Sequence, residues 1–122
     1  MKTNEAAKVV LYEKPTCTKC REVKKILTEQ GIEFESIEYL KKPFSVDELK
    51  RLLRRAGLKP RDALRKNEPA YQRYVAGQNL DDDQLIRTMV KHPELIQRPI
   101  VTRGSKAVLA RPSSNLSKLG IE

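Results

Sequence analysis

The stretch that decides the fold is KVVLYEKPTCTKCREVKKILTEQG, from Lys8 to Gly31. Its first residues, 8–13, are mostly β-branched, aromatic or aliphatic, which predicts a short buried strand. From Thr18 to Gln30 the apolar residues recur at helical spacing, and the glycine that follows is a typical stop signal. Both cysteines of the chain, Cys17 and Cys20, lie where the predicted strand gives way to the predicted helix.

Three further strands are predicted outside this stretch. Residues 33–39 mix β-forming residues with charges and indicate a second, partly exposed strand. A strand, a helix of about twelve residues and another strand have the size of a βαβ crossover, so we expect these two strands to be parallel. Residues 99–102 and 106–110 flank a short turn and indicate a hairpin. A last helix is predicted from about Pro112 to Leu119.

The middle of the chain is predicted to be helical. Ser45 and Glu48 have the spacing of a capping box, which opens a helix that ends near Gly57. Three shorter helical stretches follow, at residues 60–66, 68–75 and 81–92. The resulting fold class is α/β, with a small four-stranded mixed sheet and an inserted helical subdomain at about 43–92. The 122 residues contain no repeat or linker, so we expect one domain, residues 1–122.

Composition narrows the classes of partner. The formal net charge of +9 favours anionic partners, although much of it lies in residues 50–66, where a solvated helix face is the simplest interpretation. Aromatic residues make up only 5% and do not alternate with basic ones, so we do not expect nucleic-acid binding. No apolar run approaches the roughly 20 residues of a membrane span, and the N-terminus lacks the apolar core of a secretory signal. We therefore expect a cytoplasmic protein without membrane contact.

The cysteine pair is the strongest chemical signal. At the head of a helix, free N–H groups and the helix dipole favour a thiolate at Cys17 and can hold an anion. Cys20 lies one turn further on the same side, where it can resolve an adduct on Cys17 by forming a disulfide. Half of a zinc site and inert packing cysteines remain open as alternatives, but His92 is the only further Cys or His. After a strand, this spacing favours a thioredoxin-like redox site without metal.

Four segments, in order along the chain, carry a family resemblance: PTC at 15–17, LRKNEPAY at 64–71, HPELIQRPIV at 92–101 and ARPS at 110–113. They resemble the arsenate reductases of the glutaredoxin-coupled, thioredoxin-fold type and their relatives, the Spx transcription regulators. The resemblance extends from about Val9 to Leu119. It implies a thioredoxin-like sheet with an inserted helical subdomain.

The resemblance also implies a site and a reaction. Cys17 falls on the family's nucleophile and Pro99 on its structural cis-proline. Three arginines fall on its substrate-binding positions: Arg65, Arg98 and Arg111. A guanidinium binds two oxygens of a tetrahedral arsenate oxyanion at once. The implied reaction converts arsenate to arsenite through a thiol–arsenate adduct on Cys17, which Cys20 is placed to resolve.

No bound cofactor is implied, since the reductant is an external thiol, either glutathione with glutaredoxin or thioredoxin. We expect a monomer.

The alternative is an Spx-like regulator, which binds RNA polymerase and uses its CxxC pair as a redox switch. Arg65 and Arg111 favour the reductase. Glu13 stands where well-studied reductases have a histidine, and its carboxylate is expected to raise the pKa of Cys17.

Overall fold

The computed structural model describes residues 8–121, which divide into two compact units. The first unit comprises residues 8–39 and 98–121, and the second comprises residues 40–97. The predicted helical insert at about 43–92 lies inside the second unit. None of the helices in the described part of the chain is long and apolar enough to cross a membrane.

The first unit is built on a four-stranded mixed sheet. Its strands are β1 (Val9–Glu13), β2 (Phe34–Glu38), β3 (Ile100–Arg103) and β4 (Lys106–Leu109), in the spatial order β2-β1-β3-β4. β1 and β2 are parallel, which confirms the βαβ prediction, and β1–β3 and β3–β4 are antiparallel. The α/β fold class and the four-stranded mixed sheet are therefore confirmed.

Helix α1 (Thr18–Glu29) connects the two parallel strands and covers one face of the sheet. Val23 and Leu27 are fully buried on it and pack with Val9 and Leu11 of β1. Burial alternates along β1, so Glu13 lies on the same buried face as Val9 and Leu11. The carboxylate of Glu13 therefore lies at the end of β1, on the face that packs into the core.

The second unit consists of helices. They are α2 (Val46–Arg55), α3 (Pro69–Tyr74) and α4 (Asp82–Lys91), with 3₁₀ turns at Pro60–Ala63 and Pro93–Leu95. The predicted capping box is confirmed, because the Ser45 and Glu48 side chains and backbone N–H groups bond reciprocally. An ion pair of 2.9 Å between Lys50 Nζ and Asp83 Oδ1 joins α2 to α4.

Two predicted helices take a tighter form. The helix predicted at 60–66 is a 3₁₀ turn that ends at Ala63, because Leu64 turns extended and forms a β-bridge with Ile96. The last helix, predicted from Pro112, is a 3₁₀ helix at Ser113–Leu119, which packs Leu116 and Leu119 into the core of the first unit. Both differences depend on contacts between segments distant in sequence, which local patterns do not carry.

Candidate active site

Cys17 occupies the N-cap of α1. Its backbone N–H donates to the carbonyl of Lys14 at 2.9 Å, and its own carbonyl accepts from the N–H of Arg21 at 3.0 Å. The tight turn from Lys14 therefore delivers the chain from β1 directly into the helix. The side chain of Cys17 is partly exposed, so a small substrate can reach its sulfur.

The surroundings of Cys17 stabilise its thiolate. Partial burial raises the pKa of Cys17, but hydrogen bonds from the backbone and side chain of Cys20, from the backbone of Lys19 and from the Arg98 side chain lower this pKa to about 7. The helix-capping N–H groups thus act on the sulfur as expected for a thiol at a helix head. A substantial fraction of Cys17 is ionised at neutral pH.

Cys20 has the opposite character. The residue is completely buried, and its Sγ accepts a weak hydrogen bond from the backbone N–H of Lys14 at 3.5 Å. Burial raises the pKa of Cys20 to about 12, against the effect of the Lys14 N–H and with the help of the negative charges of Cys17 and Glu13. Cys20 is therefore a neutral thiol that donates its proton toward the Cys17 thiolate. Both cysteines are free, not disulfide-bonded.

Glu13 is buried behind this pair, with only 1% of its surface exposed. Its Oε2 accepts a hydrogen bond from Ser36 Oγ and lies 2.8 Å from Lys24 Nζ. Glu13 is not among the main influences on the pKa of Cys17, which is lowered overall, whereas its charge helps to raise the pKa of Cys20. Glu13 thus lies on the buried face of β1, and its charge acts on the second thiol.

Arg98 supplies a buried cation beside Cys17. Only 5% of the residue is exposed, and its side chain forms hydrogen bonds with Tyr39 and Cys17. Burial lowers the pKa of Arg98, but the interactions with Tyr39 and Cys17 outweigh it and raise this pKa. Its Nε and Nη1 are buried and donate to none of the described residues. A guanidinium with two remaining donors next to a thiolate is suited to hold two oxygens of an oxyanion.

Arg111 and two prolines complete this part of the first unit. Arg111 Nη1 donates to the carbonyl of Arg98 at 3.1 Å, so the two predicted substrate-binding arginines are neighbours. The Arg98–Pro99 peptide bond is cis, in the form that the family resemblance implies for Pro99. The Arg111–Pro112 bond is also cis, which no sequence signal indicated.

Arg65, the third predicted substrate-binding arginine, belongs to the second unit. Its backbone N–H donates to the carbonyl of Leu95 at 2.7 Å, and its Nε pairs with Glu68 Oε2 at 3.3 Å. This local network fixes the segment that leads into α3. The role of Arg65 in substrate binding stays a prediction.

Sequence reasoning missed three side chains that contact Arg98 or Glu13. They are Tyr39, Lys24 and Ser36, which contact the arginine or the buried carboxylate. The position of Lys24 four residues after Cys20 on the same helix was a usable signal. Among the described residues, no group of three or more His, Cys, Asp or Glu side chains is placed to hold a metal ion.

A mixed sheet whose first strand leads into a helix capped by cysteine, with a cis-proline ahead of the third strand, defines the thioredoxin-like fold class. Within that class, residues 12–119 match the model of the ArsC family, and the chain belongs to this family.

Similar proteins agree with this assignment. The chain is 41% identical to an arsenate reductase of Escherichia coli over 86% of its own length and 75% of that protein. It is 34% identical to an arsenate reductase of Neisseria meningitidis serogroup A, over 88% of the chain and 94% of the relative. The solved structure of an arsenate reductase from Vibrio cholerae superposes with a TM-score of 0.88 at 39% identity, covering 93% of this chain and 98% of that one.

Proposed function

We propose that the protein is a thiol-dependent arsenate reductase that converts arsenate to arsenite through an adduct on Cys17. The observation that carries the proposal is the pairing of the partly exposed Cys17 thiolate with the buried Arg98, which has two donors to spare. The names of the relatives at 34% and 41% identity support arsenate as the substrate.

The first step is attack of the Cys17 thiolate on arsenic(V). A sulfur–arsenic bond forms, and an arsenate oxygen leaves as water after protonation. Arg98 holds two oxygens of the oxyanion and balances its negative charge. Without this cation, the approaching thiolate would be repelled by the like charge of the oxyanion. Arg111, the neighbour of Arg98, adds positive charge to the same oxyanion, and the assignment of Arg65 to the substrate rests on the family resemblance.

The second step releases arsenite. The thiol of Cys20 attacks the sulfur of Cys17, the sulfur–arsenic bond breaks, and its electron pair reduces arsenic(V) to arsenic(III). The products are arsenite and a Cys17–Cys20 disulfide, so the two electrons lost by the sulfurs are gained by arsenic. Thioredoxin, or glutathione with glutaredoxin, then reduces the disulfide by thiol exchange.

Turnover measurements test this proposal. Purified protein is mixed with arsenate, NADPH and either the thioredoxin or the glutathione–glutaredoxin system, and arsenite is quantified together with NADPH loss. We expect arsenite release with at least one system and none above background for Cys17→Ser. Absence of arsenite with both systems contradicts the proposal. Tight binding to RNA polymerase in that case would favour the Spx-like regulator.

A further inference from the structure

A carboxylate buried behind the cysteine pair has no role in the steps above. Glu13 is 1% exposed, and burying a charged group is costly unless it is paired and hydrogen-bonded. Lys24 and Ser36 engage only its Oε2. Its Oε1 is buried and accepts no hydrogen bond from the described residues. One oxygen of this carboxylate thus keeps its capacity to accept a proton.

Glu13 and the Cys20 thiol lie at the same end of β1. Cys20 and Lys24 are four residues apart on α1, so they share one face of the helix, and Lys24 Nζ reaches Glu13 at 2.8 Å. On the strand side, the Sγ of Cys20 accepts the N–H of Lys14, the residue that follows Glu13. The charge of Glu13 acts on Cys20 strongly enough to contribute to its raised pKa.

Cys20 needs a proton acceptor if it is to attack. Only the thiolate is nucleophilic, and burial keeps Cys20 protonated. The residue has no exposed surface, so hydroxide or a buffer base cannot reach its sulfur directly. The acceptor must then be a protein group.

The titratable and charged groups that face this region from the packed elements are Cys17 and Lys24 on α1, Glu13 on β1, Glu38 and Tyr39 at the end of β2, and Arg98 ahead of β3. Lys24 and Arg98 are cations, and Tyr39 is hydrogen-bonded to Arg98. The sulfur of Cys17 carries the adduct during resolution. Glu38 pairs with Glu13 in the strand register but is partly exposed. Glu13 is the buried anion of this set.

We propose that Glu13 accepts the proton of the Cys20 thiol as Cys20 attacks the sulfur of Cys17. In the arsenate reaction, which rests on the proposed function, the Cys20 S–H bond breaks and its proton moves to the Glu13 carboxylate. The sulfur electron pair forms the disulfide bond, and the electron pair of the sulfur–arsenic bond passes to arsenic. Lys24, 42% exposed, links Glu13 to solvent, through which the proton is lost before the next cycle.

A chromogenic disulfide tests this step without arsenate. Cys17 attacks 5,5′-dithiobis(2-nitrobenzoate) and releases one thionitrobenzoate; Cys20 then displaces a second one from the mixed disulfide. Stopped-flow absorbance separates the two phases, and Cys20→Ser should release only the first. For Glu13→Gln we expect a second phase about 100-fold slower at pH 7, with the first phase unchanged within about twofold.

The pH dependence of the second-phase rate shows whether Glu13 accepts a proton or only supports the structure. In the natural protein the second phase should stay level between about pH 7 and pH 9, because the proton of Cys20 passes to the Glu13 carboxylate beside Lys24 and not to a base whose concentration changes with pH. In Glu13→Gln no carboxylate takes the proton, so the second phase depends on the small fraction of Cys20 that is present as thiolate, and the rate should rise about tenfold per pH unit. Glu13→Asp keeps a carboxylate and should recover part of the rate.

The matched control is Glu35→Gln, which removes an exposed carboxylate from neighbouring β2 and should leave both phases unchanged. An equal or faster second phase in folded Glu13→Gln overturns the proposal. If circular dichroism shows that this variant does not fold, the proposal is tested on the natural protein instead. Its second phase should not depend on buffer-base concentration, and a linear dependence overturns the proposal. A protein that resolves the mixed disulfide through Glu13 but releases no arsenite contradicts only the proposed function.

Discussion

Cys17 and Cys20 are the same residue type one helical turn apart, yet they hold their protons very differently. Cys17 is partly exposed and receives hydrogen bonds at the helix head, whereas Cys20 is fully buried next to two negative charges. The outer sulfur is therefore the one that is readily ionised, and the inner sulfur stays a neutral thiol. The difference in protonation follows from burial, hydrogen bonding and nearby charge.

Alkylation with iodoacetamide tests the ionisation of Cys17. Hydrogen bonding lowers its pKa from 9.0 to about 7, so the thiolate is present above that pH and is lost as the pH falls through it. The alkylation rate of Cys20→Ser should rise with pH to a midpoint near 7 and then level off. In the Arg98→Gln background the midpoint should move up by about one pH unit, because a buried cation is removed.

Arg87→Gln is the control for that substitution, since Arg87 is an exposed arginine of the second unit. Its midpoint should equal that of the parent protein. An unchanged midpoint in Arg98→Gln would show that the guanidinium does not stabilise the thiolate.

At this scale, sequence patterns identified the cysteines but not their protonation. The spacing of Cys17 and Cys20 and their place at a helix head were readable from the chain. Which thiol the charge of Glu13 acts on depends on which face of β1 is buried, and Tyr39 gave no local signal of its contact with Arg98. Side-chain partners across the sheet require the tertiary fold.

Helix α1 positions the candidate site, because Cys17 caps its N-terminus, Cys20 and Lys24 lie on it, and it covers one face of the sheet. Its buried residues Val23 and Leu27 fix its position against β1. A hydrophobic contact one to two helical turns away therefore fixes the position of the thiols.

Leu27→Ala tests the strength of this contact. Leu27 is fully buried, so truncation should lower the free energy of unfolding by about 2–5 kcal/mol, as measured by urea denaturation. Thr28→Ala, at the next and exposed position, should change it by less than about 0.5 kcal/mol. Similar values for both variants would mean that α1 does not depend on this packing.

Elements with strong local signals were predicted well, and elements shaped by distant contacts were not. The capping box at Ser45 and Glu48 needs only neighbouring residues, and it is present as predicted. The 3₁₀ turn that ends at Ala63 depends on the bridge from Leu64 to Ile96, about thirty residues away. A hydrophobic pattern cannot distinguish a short α-helix from a 3₁₀ turn interrupted by such a bridge.

On the scale of the whole molecule, the chain leaves the sheet unit after Tyr39 and returns to it at Arg98. Both residues at this junction belong to the surroundings of Cys17, because Arg98 bonds to Tyr39 and to the thiolate. The segments that carry the family resemblance come from both units, with Arg65 in the second. Motif order and spacing could therefore identify the family, although they could not predict which donors of Arg98 remain unpaired.

Cys20→Ser separates the two reductant systems. If Cys20 is the resolving thiol, this variant should lose thioredoxin-coupled arsenite release, because no intramolecular disulfide can form. With glutathione and glutaredoxin an external thiol can replace it, so some release should persist. NADPH oxidation with each system measures both. Full thioredoxin-coupled turnover in Cys20→Ser would assign resolution to another thiol.

The unpaired Nε and Nη1 of Arg98 also bear on heat stability. An anion that binds only the native state stabilises it by mass action, by about 2.7 kcal/mol at a hundredfold excess over its Kd. Sulfate, phosphate and arsenate should thus raise the melting temperature more than chloride at equal ionic strength, as scanning fluorimetry can measure. Arg98→Gln should abolish this difference, and an equal rise in that variant would place the anion elsewhere. A bound oxyanion then contributes to the stability of the fold, and the ligand-free form is the less heat-resistant one.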